Sequence, residues 1–78
     1  GMSYAEEGMY TAKVRLDYAR DGFRTSVRKT AEALVNNIDF PQDAEAIAKA
    51  LILDKQVLDE AQAHYDFIMS EYRKGESQ

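Results

Sequence analysis

A long antiparallel two-helix hairpin, all-α, is the fold this sequence predicts, and three observations carry it. A single proline, Pro41, stands just past the middle of the 78 residues. On each side of it runs a stretch with apolar residues at helical spacing. Between the stretches lies Asn36-Asn37-Ile38-Asp39, which holds residue types that end one helix and begin another.

The first helix begins at a capping box. In Ser3-Tyr4-Ala5-Glu6 the serine hydroxyl can accept the Glu6 amide proton, and the Glu6 carboxylate can reach back to the Ser3 amide. Glu6 and Glu7 also suit the positive end of a helix dipole. Gly1 ahead of Met2 reads as a cleavage remnant and is set aside. From there the apolar stripe is Ala5, Met9, Ala12, Leu16, Ala19, Phe23, Val27, Ala31, Leu34 and Ile38. Its mean spacing is about 3.7 residues, that of a nearly straight helix and of an 11-residue repeat. Asp21-Gly22 could form a turn and split this helix. The stripe passes through it in phase, so one continuous helix over about 4–37 is expected, weakened at Gly22 by about 1 kcal/mol relative to alanine.

The turn is placed at 38–40. Asn tolerates left-handed backbone and can end a helix. Asp39 suits the N-cap of the second helix, and Pro41 falls in its first turn, where a missing amide proton costs nothing. The second helix, about 41–74, keeps strict heptads. One row is Ala44, Leu51, Leu58, Tyr65 and Tyr72; the other is Ile47, Asp54, Ala61 and Ile68. Two rows of period seven form a coiled-coil seam. Arg73 and Lys74 suit the C-terminal dipole, Gly75 suits the residue after the last helical one, and 75–78 should fray. The whole chain, 1–78, reads as one domain with no internal repeat.

Folding the chain back at Asp39 sets Leu34 opposite Ile47, Phe23 opposite Leu58, Ala19 opposite Ala61, Leu16 opposite Tyr65 and Met9 opposite Tyr72. Charge agrees. Residues 1–38 carry six basic and five acidic groups, residues 39–78 four basic and nine acidic. Asp54 is the one charged residue in a core row. It is expected to pair with Arg24 or Arg28 and to set the helix register, as single polar core residues do in coiled coils.

A chain this short buries only a little over half of its unfolded surface and usually needs a disulfide, a metal or a second copy. There is no cysteine and only one histidine, so oligomerisation remains. Apolar residues exceed what two mating stripes use. Ile52, Leu53, Val57 and Phe67 on the second helix, with Tyr10, Val14 and Tyr18 on the first, are the candidate interface of a homodimer closing into a four-helix bundle. A helical protein partner is the other candidate occupant.

Several function classes are disfavoured. The net charge of −4 argues against nucleic acid as a partner. No 18-residue apolar run exists to span a membrane, and no leader pattern opens the chain. There is no glycine-rich phosphate loop and no nucleophile elbow. Glu60 and His64 share a helix face with Asp17 across the hairpin, but this is not the Glu-x-x-His spacing of carboxylate-bridged metal bundles. No catalytic residue, cofactor or metal is assigned. A non-enzymatic, cytoplasmic interaction module is expected: an adaptor, small chaperone or regulatory subunit. In size, in its central Pro-containing turn and in its acidic second helix the chain resembles small helical-hairpin proteins of bacterial secretion systems. That implies the alternative of a structural subunit in a larger helical assembly such as a filament. A small-ligand or metal carrier is the third reading.

Overall fold

The computed structural model describes residues 1, 3–36 and 40–76, with side chains of the second helix described over 44–75. Two helices make up the described residues, α1 over Tyr4–Asn36 and α2 over Phe40–Glu76, and no strand occurs among them. They pack against each other as a rod of 59 × 20 × 14 Å. Thirty-three residues at 1.5 Å each account for an α1 of about 50 Å.

α1 starts where the capping box places it. The Glu6 amide donates to Ser3 Oγ at 3.2 Å, and the Glu7 amide donates to the Ser3 carbonyl at 3.0 Å. The return bond differs from expectation. Ser3 Oγ donates to Glu6 Oε1 at 3.2 Å, so the hydroxyl, not the Ser3 amide, holds the carboxylate. α1 runs unbroken through Gly22. It is described to Asn36, the expected end at 37 lying outside the described residues, and α2 begins at Phe40, one residue before its expected start. The Ile38 end of the stripe and the Asp39 cap lie outside the described residues. Pro41 is in the first turn of α2, as its chemistry requires. Gly75 is helical and does not terminate α2, which runs on to Glu76.

The helices are antiparallel in the expected register. As α1 advances from Arg20 to Ser26, its partners on α2 fall from Gln62 to Asp54. Leu16, Ala19 and Ala61 form the buried cluster, with Leu58 and Tyr65 against it. Arg20 Nη2 donates to Gln62 Oε1 at 3.1 Å, and Ser26 Oγ donates to Asp54 Oδ2. Both expected α2 rows turn inward, with Ala61 buried and the other eight residues half-buried.

The α1 stripe needs correction. It holds from Met9 to Phe23 and then leaves the interface. Ala31 is exposed, and Val27 and Leu34 are 45% and 54% exposed. Ser26, Thr30 and Ala33 are half-buried in their place. The inward row is thus Met9, Ala12, Leu16, Ala19, Phe23, Ser26, Thr30, Ala33, a strict seven-residue spacing. The reason lies in α2. A helix presenting rows of period seven keeps contact over many turns only with a neighbour of the same period. A stripe of longer period drifts off the line, and residues of less apolar type move onto it. Leu34 is therefore off the inward line on which it was expected to meet Ile47.

Candidate functional site

The hairpin has two broad flanks, one on each side of the helix–helix seam. On α1 the seam residue Met9 separates them: Gly8 turns about 100° to one side and Tyr10 about 100° to the other. The flank bearing Gly8 is called the glycine face here, the other the Ile52 face.

The glycine face carries a stripe at i, i+4, i+7 and i+11 on each helix. On α1 it runs Thr11, Arg15, Tyr18, Gly22; on α2 it runs Leu53, Val57, Glu60, His64, with Phe67 one step further. Tyr18, Leu53, Val57 and Phe67 are 73%, 57%, 45% and 60% exposed. Three shallow clefts line up along this flank. A cleft of about 480 Å³ at the end distant from the turn is bounded by Tyr4, Gly8, Ile68, Tyr72 and Gly75, among others. Next comes one of about 360 Å³ that includes Thr11 and His64. A third, also about 360 Å³, lies between Tyr18 and Gly22 of α1 and Asp54 and Val57 of α2. Gly8 or Gly22 lines each of them. A methyl group built on either glycine meets nothing within 4 Å. The hairpin by itself therefore gives no steric reason for glycine at positions where alanine is favoured by about 1 kcal/mol.

The Ile52 face holds a cleft of about 330 Å³ lined by Phe23, Leu51, Ile52, Lys55 and Gln56. Helical spacing puts Tyr10, Lys13 and Asp17 on the same flank of α1. This flank is laced with bonds along each helix. Lys13 pairs with Asp17 at 2.7 Å, Lys55 with Asp59 at 2.5 Å, and Gln62 donates to Asp66 at 3.0 Å.

The expected interface residues are thus not brought together as one patch. Tyr18, Leu53, Val57 and Phe67 share the glycine face. Ile52 and Tyr10, 57% and 60% exposed, lie on the other. Val14 is half-buried on the outer edge of α1. The polar residues also rearrange. Asp54 takes its hydrogen bond from Ser26, and among the described residues neither Arg24 nor Arg28 forms an ion pair. Every ion pair between described residues runs along one helix. Asp17 pairs with Lys13, away from His64, and among the described residues no three His, Asp or Glu side chains converge to hold a metal.

One sequence signal bears on this face, and it corrects the reading that the chain has no repeat. Residues 4–15 read YAEEGMYTAKVR and residues 18–29 read YARDGFRTSVRK. Tyr, Ala, Gly and Thr recur unchanged, Glu7 recurs as Asp21, Met9 as Phe23 and Arg15 as Lys29. The offset is two heptads, about 21 Å of helix, so each repeated residue returns to its own flank. Tyr4 and Tyr18, and Gly8 and Gly22, therefore decorate the glycine face twice. Aligning the chain with itself at that offset would have found it.

No family profile, no curated protein and no solved structure matches this chain.

Proposed function

We propose that this chain is a non-enzymatic helical interaction module that acts through self-association and helix–helix contacts, as an adaptor, small chaperone or regulatory subunit. Surface area carries the reading. The chain exposes 6046 Å². A compact monomer of 8.9 kDa exposes about 4,800 Å². The excess is of the order that one partner buries in a stable interface, about 800 Å² or more. Ten large hydrophobic side chains are among the exposed ones, and four of them, Tyr18, Leu53, Val57 and Phe67, share one flank, the contiguous kind of apolar exposure that marks an association surface. A homodimer closed as a four-helix bundle is the simplest arrangement that covers it, with a coiled-coil seam inside each hairpin. A cytoplasmic setting belongs to the same reading. The chain has no cysteine, and no helix among the described residues is long and apolar enough to cross a membrane. The net charge of −4 supports protein over nucleic acid as partner.

A second reading has an observation of its own. Apolar residues stand on both flanks, Leu53 and Phe67 on one and Ile52 and Tyr10 on the other. A chain that is adhesive on both sides can add copies without closing, as a structural subunit of a larger helical assembly does. Light scattering over a range of concentrations separates the two. A constant mass of two chains supports the closed dimer, growth with concentration supports the array, and a mass of one chain throughout overturns self-association.

A further inference from the structure

Resting on the self-association reading, we propose that the glycine face is the docking surface for a second copy of this chain, with α1 of each copy lying against α2 of the other. The opposite flank is a poorer candidate. Its apolar residues sit among lysine–aspartate pairs whose charges are already satisfied along each helix. Covering that flank would strip water from those pairs with no new partner in return. On the glycine face Lys74 and Glu71 pair with each other at the distal end, and the charges along the rest of it are unspent. Arg15 and Lys29 of α1 and Glu60 of α2 make no ion pair among the described residues.

Charge also selects the arrangement. Two hairpins facing each other by a twofold axis have two choices. An axis across the hairpin sets α1 on α1 and brings Arg15 and Lys29 of both copies together. An axis along the hairpin sets α1 on α2 and brings Arg15 near Glu60. The second choice also keeps heights. Each α1 residue then meets, on the second copy, the α2 residue level with it in its own chain.

That seam is complementary in size. Thr11 comes beside Phe67 of the second copy, Gly22 beside Val57 and Thr25 beside Leu53, small against large each time. Tyr18 comes beside Glu60, where the phenol can donate to the carboxylate. Arg15 lies between Glu60 and His64. Leu53 and Phe67 are separated by the same two heptads as Thr11 and Thr25, so a single placement seats both. The open space above the glycines acquires an occupant. Bare backbone at Gly22 lets the second copy's α2 approach closely, which offsets the helix propensity that glycine gives up.

The chain has no cysteine, so single cysteines report proximity cleanly. Thr25→Cys protein is mixed with Leu53→Cys protein and oxidised mildly. In parallel, Ala31→Cys is mixed with Ile52→Cys, a level pair on the other flank. A disulfide needs Cα atoms within about 7 Å. Thr25→Cys, Leu53→Cys and Ile52→Cys introduce no bulk, Ala31→Cys adds one sulfur at an exposed position, and far-UV circular dichroism checks that each variant is helical. A covalent dimer as the main product of the first mixture, with little from the second, is the expected result. Cross-linking only in the second mixture, in both, or in neither, while the unmodified chain has the mass of two, overturns the glycine face and leaves self-association standing. If the unmodified chain has the mass of one, both fall.

Discussion

Ser26 of α1 donates its hydroxyl proton to the Asp54 carboxylate of α2, in the place where charge patterning suggested an arginine. The next residue of the inward row, Thr30, donates to the Ser26 carbonyl at 2.8 Å. The turn-proximal third of the seam is therefore polar on the α1 side, and both residues of the bond are only half-buried. Register there rests on one neutral donor facing one carboxylate.

Ser26→Ala leaves the Asp54 carboxylate without its donor and should cost about 1 kcal/mol in denaturant unfolding. Asp54→Leu should be neutral or stabilising by a similar amount, since the core row gains an apolar side chain and the Ser26 hydroxyl can turn to water. Arg24→Ala and Arg28→Ala should each change stability by less than about 0.5 kcal/mol. A loss on Arg28→Ala equal to that on Ser26→Ala would restore the ion pair.

Among the described residues Leu16 is the largest side chain fully removed from solvent, and it lies in the cluster with Ala19 and Ala61. Leu16→Ala should cost about 2–5 kcal/mol, enough to unfold so small a chain at room temperature. Ala61 is 0% exposed, so Ala61→Leu should cost about 1–3 kcal/mol through overpacking. Thermal melts followed at 222 nm read both.

Amide hydrogen exchange should be slowest around Leu16–Ala19 and Ala61. It should quicken toward the turn, where Ser26, Thr30 and Ala33 replace larger apolar contacts with α2. Uniform protection along α1 would contradict a core concentrated in the middle and distal parts.

Leu53→Glu with Phe67→Glu should give a monomer whose melting temperature no longer depends on concentration. Tyr10→Glu with Ile52→Glu should leave the mass at two chains. The reverse pattern would place the interface on the Ile52 face.

Ser3→Ala removes the acceptor of the Glu6 amide and should cost about 1 kcal/mol, read as a lower melting temperature. Gly22→Ala meets nothing within 4 Å in the hairpin, so in dilute protein it should raise stability by up to about 1 kcal/mol.

How much of this was legible in advance differs between the helices. α2 could be read correctly along its whole interface because Leu51, Leu58, Tyr65 and Ile68 repeat with one period and admit one face. α1 could be read only to Phe23. Beyond it Val27, Ala31 and Leu34 continue an apolar line, and Ser26, Thr30 and Ala33 look like a solvent line. The tandem Tyr-x-x-x-Gly segments were present in the sequence from the start. They pass for ordinary helix because a two-heptad offset shows itself only once the flanks are known.

Local chemistry alone determined that there are two helices, where α1 is capped, that Gly22 does not break it and how α2 lies against its neighbour. Backbone hydrogen bonding, Ser3 and the seven-residue period of α2 act within a few turns, so the order of residues suffices. Which line of α1 turns inward, which donor reaches Asp54, and how the surplus apolar residues divide between two flanks were decided only by tertiary structure. Each depends on two helices settling in one shared period along a rod 59 Å long, and a phase difference of about 0.2 residue per turn adds up over that length to move Val27 and Leu34 off the interface and Ser26 onto it.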